Sequence, residues 1–416
     1  MVQWQSGLRL FLMVFIGLTS VAAPVGASST PPAYQTATTQ WRAAQGDFAG
    51  WTLNGVALSG GALAFNAATA APGTDPYTAG GYNGHNFYNG GSFKVGEATG
   101  PITLTSFGFN QAIASWNATT PAGTWIETQL RVRVDARWTK WYNMGVWAAD
   151  TGTVQRHSVN AQGDADGTVA TDTLILSSAD KKAPVIGNAY QLKFRLFQAQ
   201  GSTATPTVRN AGVTVSTTPA APATLAPGNP ALWGRLIDIP QCSQMVYPDG
   251  GTVWCSPTST SMVLGYWDQY TGPCEPRVRA AVAGVYDWIY DGDGNWPFNT
   301  AYAATHNLTA VVARFTSFAQ AEEWIAAGVP VVISYAWGKK ELTGAPIPTS
   351  SGHLAVLVGF DGAGNPIVND PAAPTNDTVR RTYQRSQLES LWLKNSGGTV
   401  YLIYPPALAG SVPVLH

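Results

Sequence analysis

Three residues that lie far apart in the sequence have the types needed for catalysis by a thiol nucleophile: Cys255, His353 and Asp370. Cys255 follows Trp254 and precedes Pro257, a residue suited to the first turn of a helix, so the thiol is predicted at a helix N-terminus. The helix dipole and an imidazolium partner there favour the thiolate, which is the reactive form of cysteine. The alternative is a buried structural cysteine, the commonest fate of an isolated one.

His353 and Asp370 are predicted to meet in a β-hairpin. His353 opens an apolar strand that ends at Phe360, and a glycine-containing turn at residues 362–365 leads into a second strand that ends at Asn369 and Asp370. A carboxylate beside the imidazole fixes its tautomer and stabilises its charged form. Asn369 is the alternative orienter. Taken singly, His353 could instead be a strand-end histidine whose ring is hydrogen-bonded by backbone groups, and Asp370 could be a turn aspartate before Pro371.

Four short motifs occur in one order along the C-terminal half: Ile239-Pro240-Gln241-Cys242-Ser243-Gln244, Trp254-Cys255-Ser256-Pro257-Thr258, Gly352-His353 and Asn369-Asp370-Pro371. Together with residues 294–299 and 328–332, they resemble the papain-fold peptidases related to the bacteriocin-processing double-glycine peptidases, cysteine-peptidase family thirty-nine. The resemblance covers residues 235–404, approximately.

The resemblance implies roles for individual residues. In that family the cysteine is the nucleophile, the histidine its base and an Asp or Asn the orienter, which implies Cys255, His353 and Asp370. An upstream glutamine helps to form the oxyanion hole, which implies Gln244, with Gln241 close by. No cofactor and no metal are implied.

The activity implied is hydrolysis of peptide bonds through a thioester acyl-enzyme. The sequence carries neither the transporter domain nor the nucleotide-binding glycine-rich loop typical of bacteriocin-processing members, so it resembles secreted, stand-alone relatives. Two alternatives remain: a cell-wall amidase or hydrolase with the same triad, and a catalytically inactive protein that binds a surface polymer.

Other polar groups are assigned to structure. If Cys255 is catalytic, Cys242 and Cys274 can form one disulfide, and the alternative is that both are free and buried. Residues 291–295 place oxygens at alternate positions as a calcium loop does, but Trp296 replaces the glycine of an EF-hand, which favours a turn. The remaining histidines lack metal-ligand spacing, and the adjacent Glu322 and Glu323 are expected on the solvated surface.

Alternating apolar residues at 125–134 and 190–196 predict strands in the N-terminal half, and the turn-rich sequence between them favours an antiparallel β-sandwich of jelly-roll type. In the C-terminal half, residues 256–267, 277–290, 318–327 and 387–394 have helical length or spacing. Residues 329–336, 354–360, 367–369 and 399–404 read as strands. This half is therefore predicted to be α+β with a papain-like fold.

Five tryptophans of the N-terminal half could form a stacking platform for sugars, which makes cell wall or polysaccharide a candidate partner beside a peptide or protein substrate. They are Trp116, Trp125, Trp138, Trp141 and Trp147. A packed sandwich core is the alternative explanation for most of them.

The first residues predict export. Arg9 precedes an apolar run at residues 10–23, and small residues follow it, as in a signal peptide cleaved after Ala27. The expected protein is secreted. Low charge, with 11% charged residues and a formal net charge of −1, argues against binding nucleic acid or, after signal removal, a membrane.

The chain is therefore divided into five parts. The Pro/Ala-rich linker leaves few side chains able to dock one half on the other, so the C-terminal half is expected to fold and act alone. The parts are a signal peptide (1–27), a flexible leader (28–40), a β-sandwich domain (41–217), a linker (218–230) and a papain-like peptidase domain (231–416).

Overall fold

The computed structural model describes residues 34–178, 180, 185–222 and 224–415. The predicted signal peptide lies outside them, as does the start of the leader. From Thr36 the leader forms strand β1 (Thr36–Arg42), which pairs antiparallel with a later strand and buries Thr38 and Trp41. The expectation of a flexible leader up to residue 40 is wrong from Thr36 onward, because this segment completes a sheet edge and buries side chains there.

Antiparallel strands make up the N-terminal half. Strand β9 (Thr124–Val134) carries the alternating run at residues 125–134, and it pairs along its length with β14 (Gly187–Ala199), with Leu130 opposite Leu192. The other strands are β2 (Thr52–Asn54), β3 (Val56–Ser59), β4 (Ala62–Phe65), β5 (Ala71–Thr74), β6 (Ser92–Thr99), β7 (Thr103–Phe109), β8 (Gln111–Thr119), β10 (Arg137–Trp138), β11 (Tyr142–Trp147), β12 (Gly167–Ala170), β13 (Thr173–Leu176) and β15 (Thr207–Ser216).

Two sheets enclose one core in this half. The first runs β12-β13-β8-β15-β4-β3, with β1 beside β15, and the second runs β10-β9-β14-β6-β2, with β11, β5 and β7 paired at its sides. Ile126 and Leu130 of the second sheet pack in the same buried cluster as Trp116 and Val213 of the first. Inward apolar residues that alternate with polar ones produce this sandwich, as predicted.

The C-terminal half combines five helices with one antiparallel sheet of seven strands among the described residues. The helices are α1 (Cys255–Trp267), α2 (Cys274–Val285), α3 (Trp296–Thr305), α4 (Phe318–Ala326) and α5 (Arg385–Ser396). The sheet runs β17 (Thr309–Arg314), β22 (Thr399–Tyr404), β18 (Val331–Trp337), β19 (Ser350–Phe360), β20 (Pro366–Asn369) and β21 (Arg380–Thr382), with β16 (Arg235–Leu236) beside β19. This α+β organisation is the one predicted.

Among the elements of this half that were not predicted, helix α3 and strand β17 matter most for the site, and the short strands β16 and β21 were also missed. Helix α3 begins where the Asn295 side chain accepts a hydrogen bond from the Phe298 amide, and it continues through small residues that lack an apolar stripe. Strand β17 follows it at the edge of the sheet. None of the helices in the described part of the chain is long and apolar enough to cross a membrane.

The two halves share an extensive interface. The side-chain amide of Asn117 donates to the Ala310 carbonyl of β17 at 2.6 Å and accepts from the Ala310 amide at 3.1 Å. The Thr214 hydroxyl donates to the Val312 carbonyl at 2.8 Å. The expectation of few docking contacts is wrong, because the edge strand β17 lies on the sandwich and its backbone groups are satisfied there.

The linker also packs against the C-terminal half. The amide of Asn229 donates to Glu322 at 2.7 Å, and the indole of Trp233 donates to the same carboxylate at 2.7 Å. Arg385 forms an ion pair with Glu322 at 2.6 Å. Glu322 is fully buried, so its expected place on the solvated surface is wrong: the carboxylate accepts hydrogen bonds that hold the linker on α4 and α5.

Candidate active site

Cys255 is the first residue of α1 and the free cysteine of the described chain. Its side chain is half-buried and therefore accessible to a reagent. Among the described residues no side chain caps this helix N-terminus, and residues of the first turn of a helix have backbone amides without intrahelical partners. A thiol and free amide donors thus occur together.

His353 lies in β19, directly opposite Tyr335 of the neighbouring strand β18. Its Nε2 atom is 2.8 Å from Oδ1 of Asp370, and its strand is hydrogen-bonded to the helix of Cys255, where the Ser259 hydroxyl donates to the Leu354 carbonyl at 3.1 Å. Because Nε2 faces the carboxylate, Nδ1 is the nitrogen left for the thiol. The rings of Tyr335 and Trp337 contact the imidazole edge to face, at centroid distances of 5.3 and 5.4 Å. These contacts hold the imidazole between the two other groups.

Asp370 follows β20 and is fully buried. One oxygen, Oδ1, accepts hydrogen bonds from the imidazole at 2.8 Å and from the backbone amide of Ala372 at 3.0 Å. The other, Oδ2, accepts the hydroxyls of Tyr335 at 3.0 Å and Tyr383 at 2.7 Å. Four donors therefore surround a carboxylate that is removed from water, an arrangement that favours the ionised form.

The electrostatics of the site favour a charged imidazole. Burial alone would lower the pKa of His353, but the attraction and hydrogen bond of Asp370, followed by those of Cys255, outweigh burial and raise it to about 10. Burial alone would raise the pKa of Asp370, but the charge of His353 and the hydrogen bonds of the site hold it below its ordinary value. Since the two shifts arise from one pair, they describe a stabilised imidazolium–carboxylate couple.

Asn369, the alternative orienter, is directed elsewhere. Its Nδ2 donates to the Pro240 carbonyl and its Oδ1 accepts from Arg380, both at 3.2 Å. These contacts hold Asn369 against the segment that precedes the disulfide rather than against His353.

Gln244 is buried at the start of a single 3₁₀ turn, Gln244–Val246. The backbone amide of Gln244 donates to the Pro371 carbonyl at 2.8 Å, which connects the turn to the residue after Asp370. Its Oε1 has no hydrogen-bond partner among the described residues. Gly251 packs so closely that a Cβ there would lie 2.0 Å from the Gln244 carbonyl oxygen, so a larger residue would displace the turn.

Two other sequence predictions near the site concern a disulfide and a turn. Cys242 and Cys274 form a disulfide, with Cα atoms 5.7 Å apart, as predicted. The segment at 291–295 is a turn that leads into α3, with Asp293 buried and Asn295 capping the helix. Across the described residues, no group of three His, Cys, Asp or Glu side chains is placed to hold a metal ion.

The tryptophans of the N-terminal half do not form one platform. Trp116, Trp125 and Trp147 are fully buried. Trp116 and Trp147 face the sandwich core, whereas Trp125 lies on the opposite face of its strand and packs in a separate aromatic cluster with Tyr88 and Phe197. Trp138 and Trp141 are half-buried at the surface, and each ring lies 4.6 Å from the guanidinium carbon of Arg131.

Sequence reasoning missed Tyr335, Trp337 and Tyr383, which complete the surroundings of His353 and Asp370. Tyr335 and Trp337 lie in a strand that was predicted only as an apolar run. Their alternate positions in that strand were the available signal, but the register that places Tyr335 opposite His353 was not readable from the sequence.

Comparison with known families relates both halves of the chain to one group of peptidases. Residues 37–216 match the Peptidase C39 N-terminal domain, and residues 236–400 match the Peptidase C39-like family. The chain is related to the C39 peptidases. The resemblance inferred from the four motifs is thereby confirmed, and the site just described lies within the part that matches the C39-like family.

Similarity to solved structures is weak for this C39 relative. It is similar to the κ-carrageenase of Pseudoalteromonas carrageenovora in complex with a carrageenan oligosaccharide, at 10% identity over 46% of this chain and all of that chain, with a TM-score of 0.20. It is also similar to a promiscuous carbohydrate-binding module of the β-sandwich superfamily, at 12% identity over 43% of this chain and 56% of that chain, with a TM-score of 0.16. Neither likeness supports an argument at these scores. Comparison with curated proteins gives no significant match.

Proposed function

We propose that the protein is an exported cysteine peptidase with a papain-like C-terminal fold, in which Cys255 is the nucleophile, His353 the base and Asp370 the orienter. The observation that carries the proposal is the position of His353. Its imidazole bonds a buried carboxylate at 2.8 Å, and its strand is bonded at Leu354 to the helix that begins with the half-buried thiol. This is the arrangement by which a base activates a nucleophile and is itself oriented by a third group.

In the proposed reaction the proton given up by the Cys255 thiol already rests on His353, as the raised pKa of the imidazole favours. The sulfur attacks the substrate carbonyl, and the developing oxyanion is stabilised by the free Cys255 amide and the side-chain amide of Gln244. The intermediate collapses to a thioester as the leaving amine takes the proton from His353. Water, deprotonated by His353, then attacks the thioester, and the acid product and free thiol are released.

Asp370 supports both proton transfers without accepting a proton itself. It fixes the tautomer that presents Nδ1 to the thiol, and its charge stabilises the imidazolium formed in each half of the reaction. The hydroxyls of Tyr335 and Tyr383 keep the carboxylate ionised and immobile.

Export is supported by the signal-like N-terminal sequence and by the Cys242–Cys274 disulfide. Disulfides form and persist in oxidising compartments and are rare in the cytosol of ordinary cells. Together they support a protein that acts outside the cytoplasm, with the C39-matching part as the hydrolase.

The test is labelling of the purified protein with an electrophilic thiol probe, together with turnover of casein and of fluorogenic peptides. Cys255→Ala should abolish both labelling and turnover while the circular dichroism spectrum stays unchanged. His353→Ala should reduce the labelling rate without removing the thiol. Retained peptide hydrolysis by Cys255→Ala would overturn the proposed nucleophile.

A polymer-binding role for the N-terminal half is a second candidate, favoured by the surface group Arg131, Trp138, Trp141 and Lys193. Lys193 lies 4.3 Å from the Trp141 ring centroid, so the cations and rings form one patch on the outer face of the second sheet. Rings stacked with cations offer both apolar faces and hydrogen-bond donors to a sugar chain. Co-sedimentation with cell wall or polysaccharide, compared between the parent and Trp141→Ala, tests this role.

A further inference from the structure

One segment of the C-terminal half is held by the sandwich although it joins the two helices that pack on α1, the helix of Cys255. Residues 286–295, which we call the 286–295 loop, join α2 to α3. The loop closes on itself, because the Asp287 amide donates to the Gly292 carbonyl at 3.0 Å and the Gly292 amide donates back at 3.3 Å. Tyr290 lies at its tip and is 48% exposed.

Asp287 ties the loop to the sandwich. Its carboxylate is fully buried, and Oδ1 accepts the amide of Ser158, a sandwich residue, at 2.9 Å. The same oxygen accepts the amides of Ile289 and Tyr290, at 3.1 and 3.2 Å. One carboxylate therefore sets the conformation of the loop and its place on the sandwich.

The rest of the loop is held in the same way. The ring of Trp288 lies 4.2 Å from that of His85 and 5.1 Å from that of His157, both in the sandwich. At the other end, Asp172 of the sandwich accepts the amide of Trp296 at 2.8 Å, at the first residue of α3. The loop is thus fixed on the sandwich at both of its ends.

Helix α3 then connects the loop to the helix that carries the thiol. The Thr260 hydroxyl of α1 donates to the Asn299 side chain of α3 at 3.2 Å. Electrostatics agree with this proximity: burial, and then the charges of Asp172 and Cys255, raise the pKa of Tyr290. The Asn299 side chain also donates to the Asp293 carbonyl of the loop at 2.8 Å, so one side chain joins the loop to the second turn of α1.

We infer that the 286–295 loop forms part of the substrate-binding surface beside Cys255, that Tyr290 contacts the peptide substrate, and that Asp287 is the positioning residue through which the sandwich sets this surface. The inference rests on the proposed peptidase function. The sandwich then contributes to substrate recognition although it supplies none of the three residues of the proposed triad.

A change in the loop should slow the reaction of Cys255 with peptides but not its reaction with small reagents. A peptide must contact the loop to place its carbonyl at the thiol, and a displacement of about 1 Å can reduce the rate about 100-fold. Iodoacetamide needs only the thiol and its base, which touch neither Asp287 nor Tyr290. The rate of alkylation by a peptidyl reagent, divided by the rate with iodoacetamide, therefore measures the contribution of the loop apart from the reactivity of Cys255.

The experiment measures, on the full chain, the second-order rate constants of Cys255 with iodoacetamide and with a series of peptidyl vinyl sulfones. Asp287→Asn and Tyr290→Ala should lower the peptidyl rate about 10- to 100-fold, with the iodoacetamide rate changed less than about 2-fold. Thr214→Val, which removes a hydrogen bond of the same interface to Val312 of β17 and not to the loop, is the matched control and should change neither rate.

The outcomes separate the two proposals. If the parent reacts with iodoacetamide but with none of the peptidyl reagents, the proposed peptidase function fails. If the parent reacts with both and Tyr290→Ala and Asp287→Asn behave like Thr214→Val, the loop inference is overturned while the peptidase function stands. Tyr290→Ala keeps every contact of Asp287 with the sandwich, so it tests the loop even if Asp287→Asn does not fold.

Discussion

Asp370 and Asn369 are neighbours that could both orient a histidine, and the difference between them lies in their donors. Asp370 receives the imidazole, two tyrosine hydroxyls and a backbone amide. Asn369 is occupied by Pro240 and Arg380. An anion that accepts four hydrogen bonds in a buried site stabilises an imidazolium far better than a neutral amide directed away from it.

Asp370→Asn is therefore expected to lower kcat about 10²- to 10⁴-fold, because the amide can support the wrong tautomer and removes the stabilising charge. Asn369→Ala should cost much less, since it removes only hydrogen bonds to Pro240 and Arg380. Steady-state turnover of one fluorogenic peptide measures both. The reverse ranking would assign the orienting role to Asn369.

Asp293 gives a pH-dependent prediction. Burial, and then the nearby charge of Asp291, raise its pKa to about 7, and its Oδ1 has no hydrogen-bond partner in the described chain. A carboxyl whose pKa is higher in the folded state than in the unfolded state destabilises the fold as the pH rises from its unfolded pKa, near 3.8, to about 7.

Asp293→Asn should therefore raise the free energy of unfolding at about pH 8 by on the order of 1–3 kcal/mol, because the buried charge is removed. The gain should shrink toward about pH 5, where the folded parent already holds the proton. Urea unfolding at both pH values measures it, with the exposed Asp377→Asn as the control. An equal gain at both pH values would contradict a titrating Asp293.

At the scale of elements, the hairpin that carries His353 and Asp370 was predictable. An apolar strand, a glycine-containing turn and a second strand have a strong local pattern, and the structure pairs Leu357 with Val368 accordingly. Helix α3 was not predictable, because its apolar residues do not lie on one stripe. Phe298 and Ala301 pack in the sandwich core, while Ala303 and Ala304 pack in the core of the C-terminal half. Asn295 before Trp296-Pro297 was the one available signal of its start.

The sandwich interface could not be read from the sequence either. A strand whose partner belongs to another part of the chain leaves no periodicity that distinguishes it, and β17 is buried along its whole length. The Pro/Ala-rich linker favoured independent halves, but proline and alanine say nothing about the surfaces that the linker joins. Asn117 and Ala310 are separated by 193 residues, and only the fold brings them together.

The disulfide joins two elements near the site, the segment that leads to Gln244 and the first residue of α2. Thiol counting on unfolded, unreduced protein should give one thiol, on Cys255, and three after reduction. Peptide mapping of the alkylated protein assigns the thiol. Three thiols before reduction would remove the bridge and weaken the argument for export.

At the scale of the whole molecule, the two family matches correspond to halves that share a core. Phe298 packs edge to face against Trp116 and Trp147, at centroid distances of 6.1 and 5.4 Å. A Cβ at Gly145 would lie 3.1 Å from the Phe298 ring, so the ring fits closely against the sandwich. Removing a buried Phe side chain typically costs about 3–5 kcal/mol, and separation of the halves exposes far more than that one ring.

A chain that begins at Ala231 is therefore expected to be unstable or aggregated, because it exposes β17, Phe298 and the 286–295 loop. This replaces the expectation from the linker that the C-terminal half acts alone. Thermal unfolding and peptide turnover of residues 231–416, beside the full mature chain, measure the effect. A well-folded truncation with full turnover would contradict it, and co-expression with residues 34–222 should restore activity if the interface reforms.

The place of α3 in both cores also governs the order of events as the protein is made. The sandwich strands are synthesised first, but Phe298 and Ala301 belong to their core. That core stays unfinished until translation has passed Ala301. A newly made N-terminal half would therefore remain incompletely packed until α3 has been synthesised, and the proposed site of Cys255, His353 and Asp370 could form only after still more of the chain has been made. The proposed peptidase would in this way delay its own activity until its synthesis is nearly complete.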